Sequence, residues 1–436
     1  MSNILFQIWI LSFLLYQVDI VGTLSVDNLL VPVLVLLWFF VGESGSAEVR
    51  RARIRTILLS TLVFFVLIVL DIIKLEGGAG FGSVMPSAIG HLKHYSYILV
   101  PLLYVSSEKA LKRGLLLLLV VTVINSGAAF LGAIGMAPSF VEASEETRIP
   151  GLLRSRGPIS NYGDSALLIA FVGIMVWTLA RHNIRFTKAG AALKAVILLI
   201  LLAGIIALQS RNVILTVAMV FAVYYWLRSL LLNSAGGARI LLPMLGIGAF
   251  LAATTLVLLN ADAIISAVTN MFGVSGEGTV RDRLQTYEVA LSLISDAPLA
   301  GLSVSQSVNQ SLFIASIHNM WLGVALSSGL IGVLLLFGLL MSGLMGALSL
   351  ARNTRWKEYG LVMTSFVFAA LIFSPNFYPG HNAFIFWFFV GLMLTTHQTL
   401  HFSPQPVRGQ SSDVVSEAPT PPDRIRPKSR ILRYKS

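Results

Sequence analysis

The sequence contains no cysteine and few charged residues. Only 12% of its 436 residues are Asp, Glu, Lys or Arg, whereas soluble domains have about 25%. Without cysteine, the chain can form no disulfide, thiol nucleophile or thiolate metal site. Because 56% of the residues are hydrophobic, an ordinary soluble domain is excluded as well. We therefore predict an all-α polytopic membrane protein.

Several motifs that would indicate a cofactor are also missing. There is no GxxxxGK[ST] loop for ATP and no DxD motif or His/carboxylate pairing for a divalent metal. His91 and His94 lie three residues apart, but no carboxylate cluster accompanies them, so we expect no metal and no cofactor. No acidic residue lies in the middle of a predicted span, where transporters usually carry ionisable groups.

Long apolar runs predict about twelve transmembrane helices, since a span needs about 20 mostly apolar residues. The N-terminus lacks a basic region and a cleavage site, so we interpret it as a retained first helix. These helices form a predicted transmembrane domain over residues 1–401, followed by a disordered basic tail over 402–436. The predicted spans are 3–22, 27–42, 56–73, 93–106, 114–136, 164–180, 191–209, 211–228, 240–259, 318–349, 360–375 and 382–399.

The distribution of Lys and Arg predicts the orientation. With the N-terminus in the cytoplasm, 23 of the 31 basic residues fall in the cytoplasmic loops and the tail. Both termini are then cytoplasmic, and the longest loop, about 260–317, lies on the outer side. Attraction to anionic inner-leaflet lipid explains the positive tail, and we expect membrane lipid rather than nucleic acid as its partner.

Arg211 stands within a long apolar run, IIALQSRNVILTVAMVF. The run is too long for one span, so LQSRN is predicted to be a tight outer turn between two spans, with Ser210 as the N-cap of the second. An arginine beside the free amides of a helix N-terminus forms an anion site. The alternative is a structural arginine that extends to the membrane surface.

The long outer loop carries further cations. Residues 280–293 have helical apolar spacing and are predicted to form a helix on the membrane surface, with Arg281 and Arg283 in its first turn. Asp296, Pro298 and Gly301 then predict a stop and a turn. The alternative for the arginine pair is an ordinary solvated face.

Two histidines stand at predicted outer ends of spans. His318 opens the tenth span directly after the long loop, and His381 precedes the twelfth. A histidine at a membrane surface is often structural, but His318 ends the loop that carries the arginines. We therefore take it as a candidate catalytic residue.

Arginine predominates among the outer cations, six of eight, with Arg154 and Arg156 among them. Guanidinium binds phosphate through two hydrogen bonds and stays charged at any relevant pH. A row of arginines at membrane depth therefore favours a lipid-linked diphosphate sugar as ligand. The energy of such a donor is already in its phosphate bond, so transfer would need no ATP.

Three segments resemble the superfamily of O-antigen ligases and O-antigen polymerases, which are bacterial inner-membrane glycosyltransferases. They are LQSRNVILTVAM, with Arg211; RLQTYEVALSLISDAPLAG, with Arg283 and Tyr287; and HNMWLGVALSSGLIG, with His318 and Asn319. The resemblance extends over roughly residues 145–350. It implies a class C glycosyltransferase fold that works without metal on a glycan carried by undecaprenyl diphosphate.

The resemblance also implies roles for these residues. His318 would act as general base towards the acceptor hydroxyl, and Arg211 and Arg283 would hold the departing diphosphate, with inversion at the sugar. Arg281 and Arg283 compete for one position, and the spacing to Tyr287 favours Arg283. The further expected substrate-binding residues are Arg281, Arg156, Arg154, Tyr287, Asn319 and His381.

Two families of reaction remain open at this stage. A ligase would transfer the glycan to lipid A-core, and a polymerase would transfer it to another lipid-linked repeat. We favour the ligase over the polymerase, and we keep a transporter or flippase of lipid-linked substrate as the alternative from another class. The expected location is the bacterial inner membrane.

Overall fold

The computed structural model describes residues 2–15, 19–21, 24–41, 47–76, 81–136, 143–144, 152–155, 157–159, 162–181, 191–209, 211–232, 277–302, 320–353, 356–373 and 384–401. These residues contain twelve α-helices and two short strand pairs. The helices are α1 Ser2–Ser12, α2 Val26–Val41, α3 Ala47–Glu76, α4 Phe81–Tyr104, α5 Glu108–Ala133, α6 Tyr162–Arg181, α7 Ala191–Leu208, α8 Arg211–Leu232, α9 Glu277–Asp296, α10 Met320–Asn353, α11 Lys357–Phe373 and α12 Phe384–His401.

The apolar helices agree with a multi-pass membrane protein. Three of them are long and apolar enough to cross a bilayer, over Ala47–Ile73, Glu108–Ala133 and Met320–Ala351, and shorter apolar stretches lie in α6, α7 and α12. Each predicted span has a helix at its place except two. One exception is the predicted span 240–259, which lies outside the described residues, as does the predicted tail 402–436. The other exception is the predicted span 3–22, which is only partly helical.

The prediction of one helix over 3–22 is wrong. Helix α1 ends at Ser12, a 3-10 turn follows over Phe13–Leu15, and β1 (Asp19–Val21) pairs with β2 (Leu24–Ser25) in an antiparallel hairpin. The hydroxyl of Ser12 donates to the carbonyl oxygen of Trp9 at 2.6 Å, a local bond that competes with helix continuation. The β-branched residues of β1 then favour a strand.

Helix α4 begins well before the predicted start at residue 93 because its polar side chains find partners inside the bundle. His91 Nε2 lies 3.4 Å from Asp71 Oδ2 on α3. The ring of His94 stacks on Trp387 of α12, with the ring centres 5.5 Å apart. Both histidines are buried, and burial is tolerated where a polar group has a partner. Hydropathy alone missed the helix from Phe81 to residue 92.

Small residues let neighbouring helices approach closely, as is common in membranes. A Cβ atom at Gly204 of α7 would lie 2.6 Å from Ser126 Cβ of α5, and one at Gly391 of α12 would lie 2.7 Å from the backbone oxygen of Ile98 of α4. These approaches pack α7 closely against α5 and α12 closely against α4. The end of α5 and α7 away from the predicted cytoplasmic side is where the candidate site begins.

The opposite end of the bundle is held by a buried polar cluster. The Tyr224 hydroxyl of α8 hydrogen bonds to Glu358 Oε2 at the start of α11, and Arg228 Nε lies 3.5 Å from Glu358 Oε1. Glu358 is buried. This cluster fixes the C-terminal part of α8 against α11, so the first residue of α8, Arg211, stands at the far end of a helix that is anchored at its other end.

Candidate active site

The turn predicted at LQSRN is present between α7 and α8. Helix α7 ends at Leu208, and α8 begins at Arg211. Gln209 between them has φ of 44°, the left-handed region that non-glycine residues rarely adopt. The chain therefore leaves α7 at Gln209, and Arg211 is the first residue of the 22-residue helix α8. Ser210, the predicted N-cap, lies outside the described residues.

Gln209 ties this turn to a second segment of chain. Its Nε2 group donates to the carbonyl oxygens of Leu152 and Leu153, at 2.9 and 3.1 Å, and the side chain is buried. An unusual backbone conformation costs about 1–3 kcal/mol and persists only where surrounding contacts hold it. Here the two side-chain hydrogen bonds supply such contacts.

Arg154, one of the predicted substrate-binding residues, joins the same turn. Its Nε group donates to the carbonyl oxygen of Leu208 at 3.4 Å, the last residue of α7. Arg154 belongs to strand β4 (Arg154–Ser155), which pairs with β3 (Ala143–Ser144). A cation at a helix C-terminus is favoured by the helix dipole. The structure thus brings the Arg154 strand to the turn that leads into Arg211.

The segment that carries Arg154 is also anchored to α5. The amide of Leu153 donates to the carbonyl oxygen of Ala133, the last residue of α5, at 2.8 Å. Residues 152–155 therefore bridge the ends of α5 and α7. Arg156 lies outside the described residues, but its neighbours on both sides are held in place.

Asn125 of α5 hydrogen bonds to the segment that contains Ile159 and Ser165. This role was not predicted from the sequence. The side-chain oxygen of Asn125 accepts a hydrogen bond from the amide of Ile159 at 2.9 Å, and its Nδ2 group donates to the Ser165 hydroxyl at 3.3 Å. That hydroxyl donates in turn to the carbonyl oxygen of Ile159 at 3.1 Å. Gly157, with φ of 73°, passes so near that a Cβ atom there would lie 2.7 Å from the Asn125 oxygens. An amide within the apolar run of α5 was the sequence signal for this role.

The arginine helix of the long loop is confirmed as α9, Glu277–Asp296. Because it begins at Glu277, Arg281 and Arg283 lie in its second turn, and the prediction of the first turn is wrong. The acidic residue takes the N-terminal position, which the helix dipole favours. Tyr287 is half-buried, one turn after Arg283.

Helix α9 packs against the first part of α10. Ala290 and Leu293 of α9 and Leu326 of α10 form a small buried cluster. The contact runs on into the turn after α9, where the amide of Leu302 donates to the carbonyl oxygen of Leu326 at 2.7 Å. The turn predicted from Asp296, Pro298 and Gly301 is thereby confirmed.

Helix α10 is interrupted beside that turn. Gly329 has φ of 61° and ψ of −163°, which is not helical, and it divides α10 into residues 320–328 and 330–353. The amides of Leu330 and Ile331 donate to the carbonyl oxygens of Pro298 and Leu299, at 2.8 and 3.3 Å. The sequence indicated a single long span here and gave no sign of a break.

The remaining predicted site residues fall outside the described part of the chain. His318 and Asn319 precede Met320, the first residue of α10, and His381 precedes α12. The structure therefore leaves their roles as predictions. No group of three or more His, Asp or Glu side chains that could hold a metal ion occurs among the described residues.

Comparison with known proteins supports the resemblance. Residues 196–337 match the family model described as O-antigen ligase, a domain that ligases and polymerases share. The match covers most of α7, all of α8 and α9, and α10 beyond its break. It thus includes Arg211, Arg283 and His318, and it leaves the Arg154 strand outside. No curated protein matches the chain.

Proposed function

We propose, for a chain that carries the O-antigen ligase domain, the transfer of a glycan from undecaprenyl diphosphate to a sugar hydroxyl on the outer face of the bacterial inner membrane. The observation that carries the proposal is the contact of Arg154 with the last residue of α7, next to the turn that begins α8 at Arg211. Two arginines from distant segments thereby belong to one end of the bundle.

Arginines in this position suit the leaving group of the reaction. The bond from the anomeric carbon to the diphosphate oxygen breaks during transfer, and negative charge on the diphosphate grows. Fixed cations directed at developing charge lower the barrier more than they lower the energy of the bound substrate. Arg211, with the free amides of the first turn of α8, binds one phosphate, and Arg283 of α9 binds the other.

His318 completes the reaction as general base. The acceptor hydroxyl transfers its proton to the imidazole while its oxygen attacks the anomeric carbon from the face opposite the diphosphate. A new glycosidic bond forms, the diphosphate departs on its lipid, and the configuration inverts. The protonated histidine then loses its proton to water, so no metal or oxidant enters the balance. His318 lies two residues before Met320, the first residue of α10.

We favour ligase over polymerase, although the matching domain is one that both kinds of enzyme share. A ligase takes lipid A-core as acceptor, whereas a polymerase takes the end sugar of another lipid-linked repeat. Because the two reactions share a donor and a leaving group, the arginine site serves both. Both termini lie in the cytoplasm in this proposal, with the long loop of residues 260–317 outside.

Purified protein in detergent tests the proposal. The donor is a lipid-diphosphate oligosaccharide, and the two acceptors, lipid A-core and a second lipid-linked repeat, are offered separately. We expect a glycosylated lipid A-core product, and loss of about 10²–10³-fold in rate for Arg211→Ala. Arg113→Ala, an exposed arginine near the start of α5, is the matched control and should retain full rate.

The outcomes separate the alternatives. Product on the lipid-linked repeat alone identifies a polymerase. A protein that makes neither product in detergent, yet moves the donor between the leaflets of a vesicle, is a flippase and overturns the proposal. Full transfer by Arg211→Ala removes the arginine from the site and leaves it as a structural residue.

A further inference from the structure

We propose that the turn after α9 and the break in α10 form a backbone lock that positions the Arg283 helix against the start of α10. The lock consists of residues 297–302 on one side and 326–331 on the other. Gly301 and Gly329 are its positioning residues. The inference rests on the proposed function, since the residues it positions are those assigned to the diphosphate and the acceptor.

The lock is built from main-chain hydrogen bonds that cross in both directions. Leu302 donates to Leu326, and Leu330 and Ile331 donate to Pro298 and Leu299. Breaking a helix leaves amides and carbonyls without helical partners. The turn supplies those partners, so the break is stable only while the turn is seated in it.

Two glycines make this approach possible, one on each side. Gly301 has φ of 75°, and a Cβ atom on it would lie 2.6 Å from the Leu326 oxygen and from the Ser328 nitrogen. Gly329 has φ of 61°, and a Cβ atom on it would overlap the carbonyl group of Leu299. The obstructing atoms are backbone, so no change of side-chain rotamer relieves the clash. L-residues also disfavour both conformations.

The apolar contact of α9 is small among the residues whose side chains are described. Ala290, Leu293 and Leu326 are buried there, with four partly buried residues packed against them, Val289, Ile294, Leu302 and Leu322. Leu291 and Leu299 are more than half exposed. Because the apolar contact is small, the direction of α9 depends on the lock at its C-terminal end.

The lock sets the register between two predicted catalytic elements. Tyr287 is nine residues before the end of α9, and Met320 is nine residues before the break in α10. Leu322 and Leu326 of α10 belong to one apolar cluster with Ala290 and Leu293 of α9, and nine residues of helix rise about 14 Å. Tyr287 and the first residue of α10 are therefore the same helical distance from the lock, each along its own helix, with Arg283 one turn farther. A shift at the lock moves Arg283 relative to the start of α10.

The absence of cysteine permits a direct test. Ala290→Cys with Leu326→Cys places the only two thiols of the chain across the contact between α9 and α10, where both positions are buried, and the rate of disulfide formation under a mild oxidant reports their proximity in membranes. We expect rapid cross-linking in the parent and in Gly338→Ala, because Gly338 lies in α10 with nothing within 4 Å of its Cβ position. We expect much slower cross-linking in Gly301→Ala and Gly329→Ala.

Transfer should follow the same pattern. In the cysteine-free background, Gly338→Ala should retain the parental rate, and the other two variants should lose about 10²-fold, the cost of a small misplacement of reacting groups. The fraction of the Gly329→Ala double-cysteine protein that prolonged oxidation traps as a disulfide should regain transfer, and a reductant should remove that gain. A merely structural defect would not respond to the disulfide.

Leu330→Pro covers the case in which the alanine variants fail to accumulate. It removes the amide that donates to Pro298 but starts the second part of α10 with a residue that helix N-termini accept, at an exposed position. We expect reduced cross-linking and reduced transfer. The lock is overturned if Gly329→Ala cross-links and transfers as the parent does. It is also overturned if Gly329→Ala loses transfer while its cross-linking stays intact. Absence of transfer in the parent itself would instead contradict the proposed function, while the cross-linking still decides the lock.

Discussion

The side-chain amide of Gln209 donates to the carbonyl oxygen of Leu152 at 2.9 Å, across 57 positions of sequence. The same amide group reaches Leu153. Through this contact, the residue two places before Arg211 holds the strand that begins with Arg154. The segments that carry Arg154 and Arg211 thus have one shared support.

Replacing this amide by a carboxylate should disturb the site while changing its shape little. In Gln209→Glu, an acceptor faces the two carbonyl oxygens, and a buried hydrogen bond left unmade costs about 1–3 kcal/mol. We expect lower thermal stability and slower transfer, measured on purified protein. Gln209→Gly should keep the turn, because glycine accepts positive φ, but should also slow transfer. If both variants match the parent in rate, the tie has no part in placing the arginines.

Asn125 should prove as important for the fold as for the site. Asn125→Ala leaves the buried amide of Ile159 without its acceptor and should destabilise the protein by about 1–3 kcal/mol. Asn125→Asp keeps an acceptor oxygen towards Ile159 and, while its buried carboxyl group is protonated, a donor towards Ser165, so it should be the milder change at acidic pH and should destabilise more as the pH rises. Thermal unfolding in detergent at two pH values, followed by tryptophan fluorescence, checks the order. An equal loss in both variants at acidic pH would contradict the role given to the Ile159 bond.

Hydropathy and basic residues predicted most helices because both depend on local composition. The arginine helix and the turn at Gln209 were predicted for the same reason. The early start of α4 and the break at Gly329 could not be predicted, since each depends on partners far away in sequence. The buried ring of His91 lies beside the Asp71 carboxylate, and the helix break at Gly329 is stabilised by hydrogen bonds to the turn near Leu299. A single sequence does not show which such segments meet.

The two arginines of α9 should not be equivalent. Arg283 lies one turn before the half-buried Tyr287, whereas Arg281 is farther from the end that packs against α10. We expect Arg283→Ala to lower transfer far more than Arg281→Ala, with both proteins accumulating in the membrane. Arg283→Lys should restore transfer poorly, since lysine cannot bind phosphate through a planar fork. Measured rates in the reverse order would assign the diphosphate to Arg281.

The proposed orientation can be tested with single cysteines, because the chain has none of its own. A cysteine at Ser275, in the long loop, should react with an impermeant maleimide in whole cells. A cysteine at Ser412, in the tail, should react only after the membrane is opened. The opposite labelling pattern would invert the topology and would move the arginine site to the cytoplasmic face.

His318 should separate chemistry from donor binding. In His318→Ala the arginines still hold the diphosphate, so the Kd for the lipid-linked donor should stay near the parental value. Transfer should fall by about 10²–10⁴-fold, the usual contribution of a general base. His381→Ala should cost much less, because SPNFYPG before it has the composition of a turn. Chelators should not inhibit either protein. Donor binding is measured by a filter assay and transfer by the mass of the product. A His318→Ala protein that transfers at the parental rate, or that fails to bind the donor, shows that another group takes the proton. His381 is then the next residue to replace.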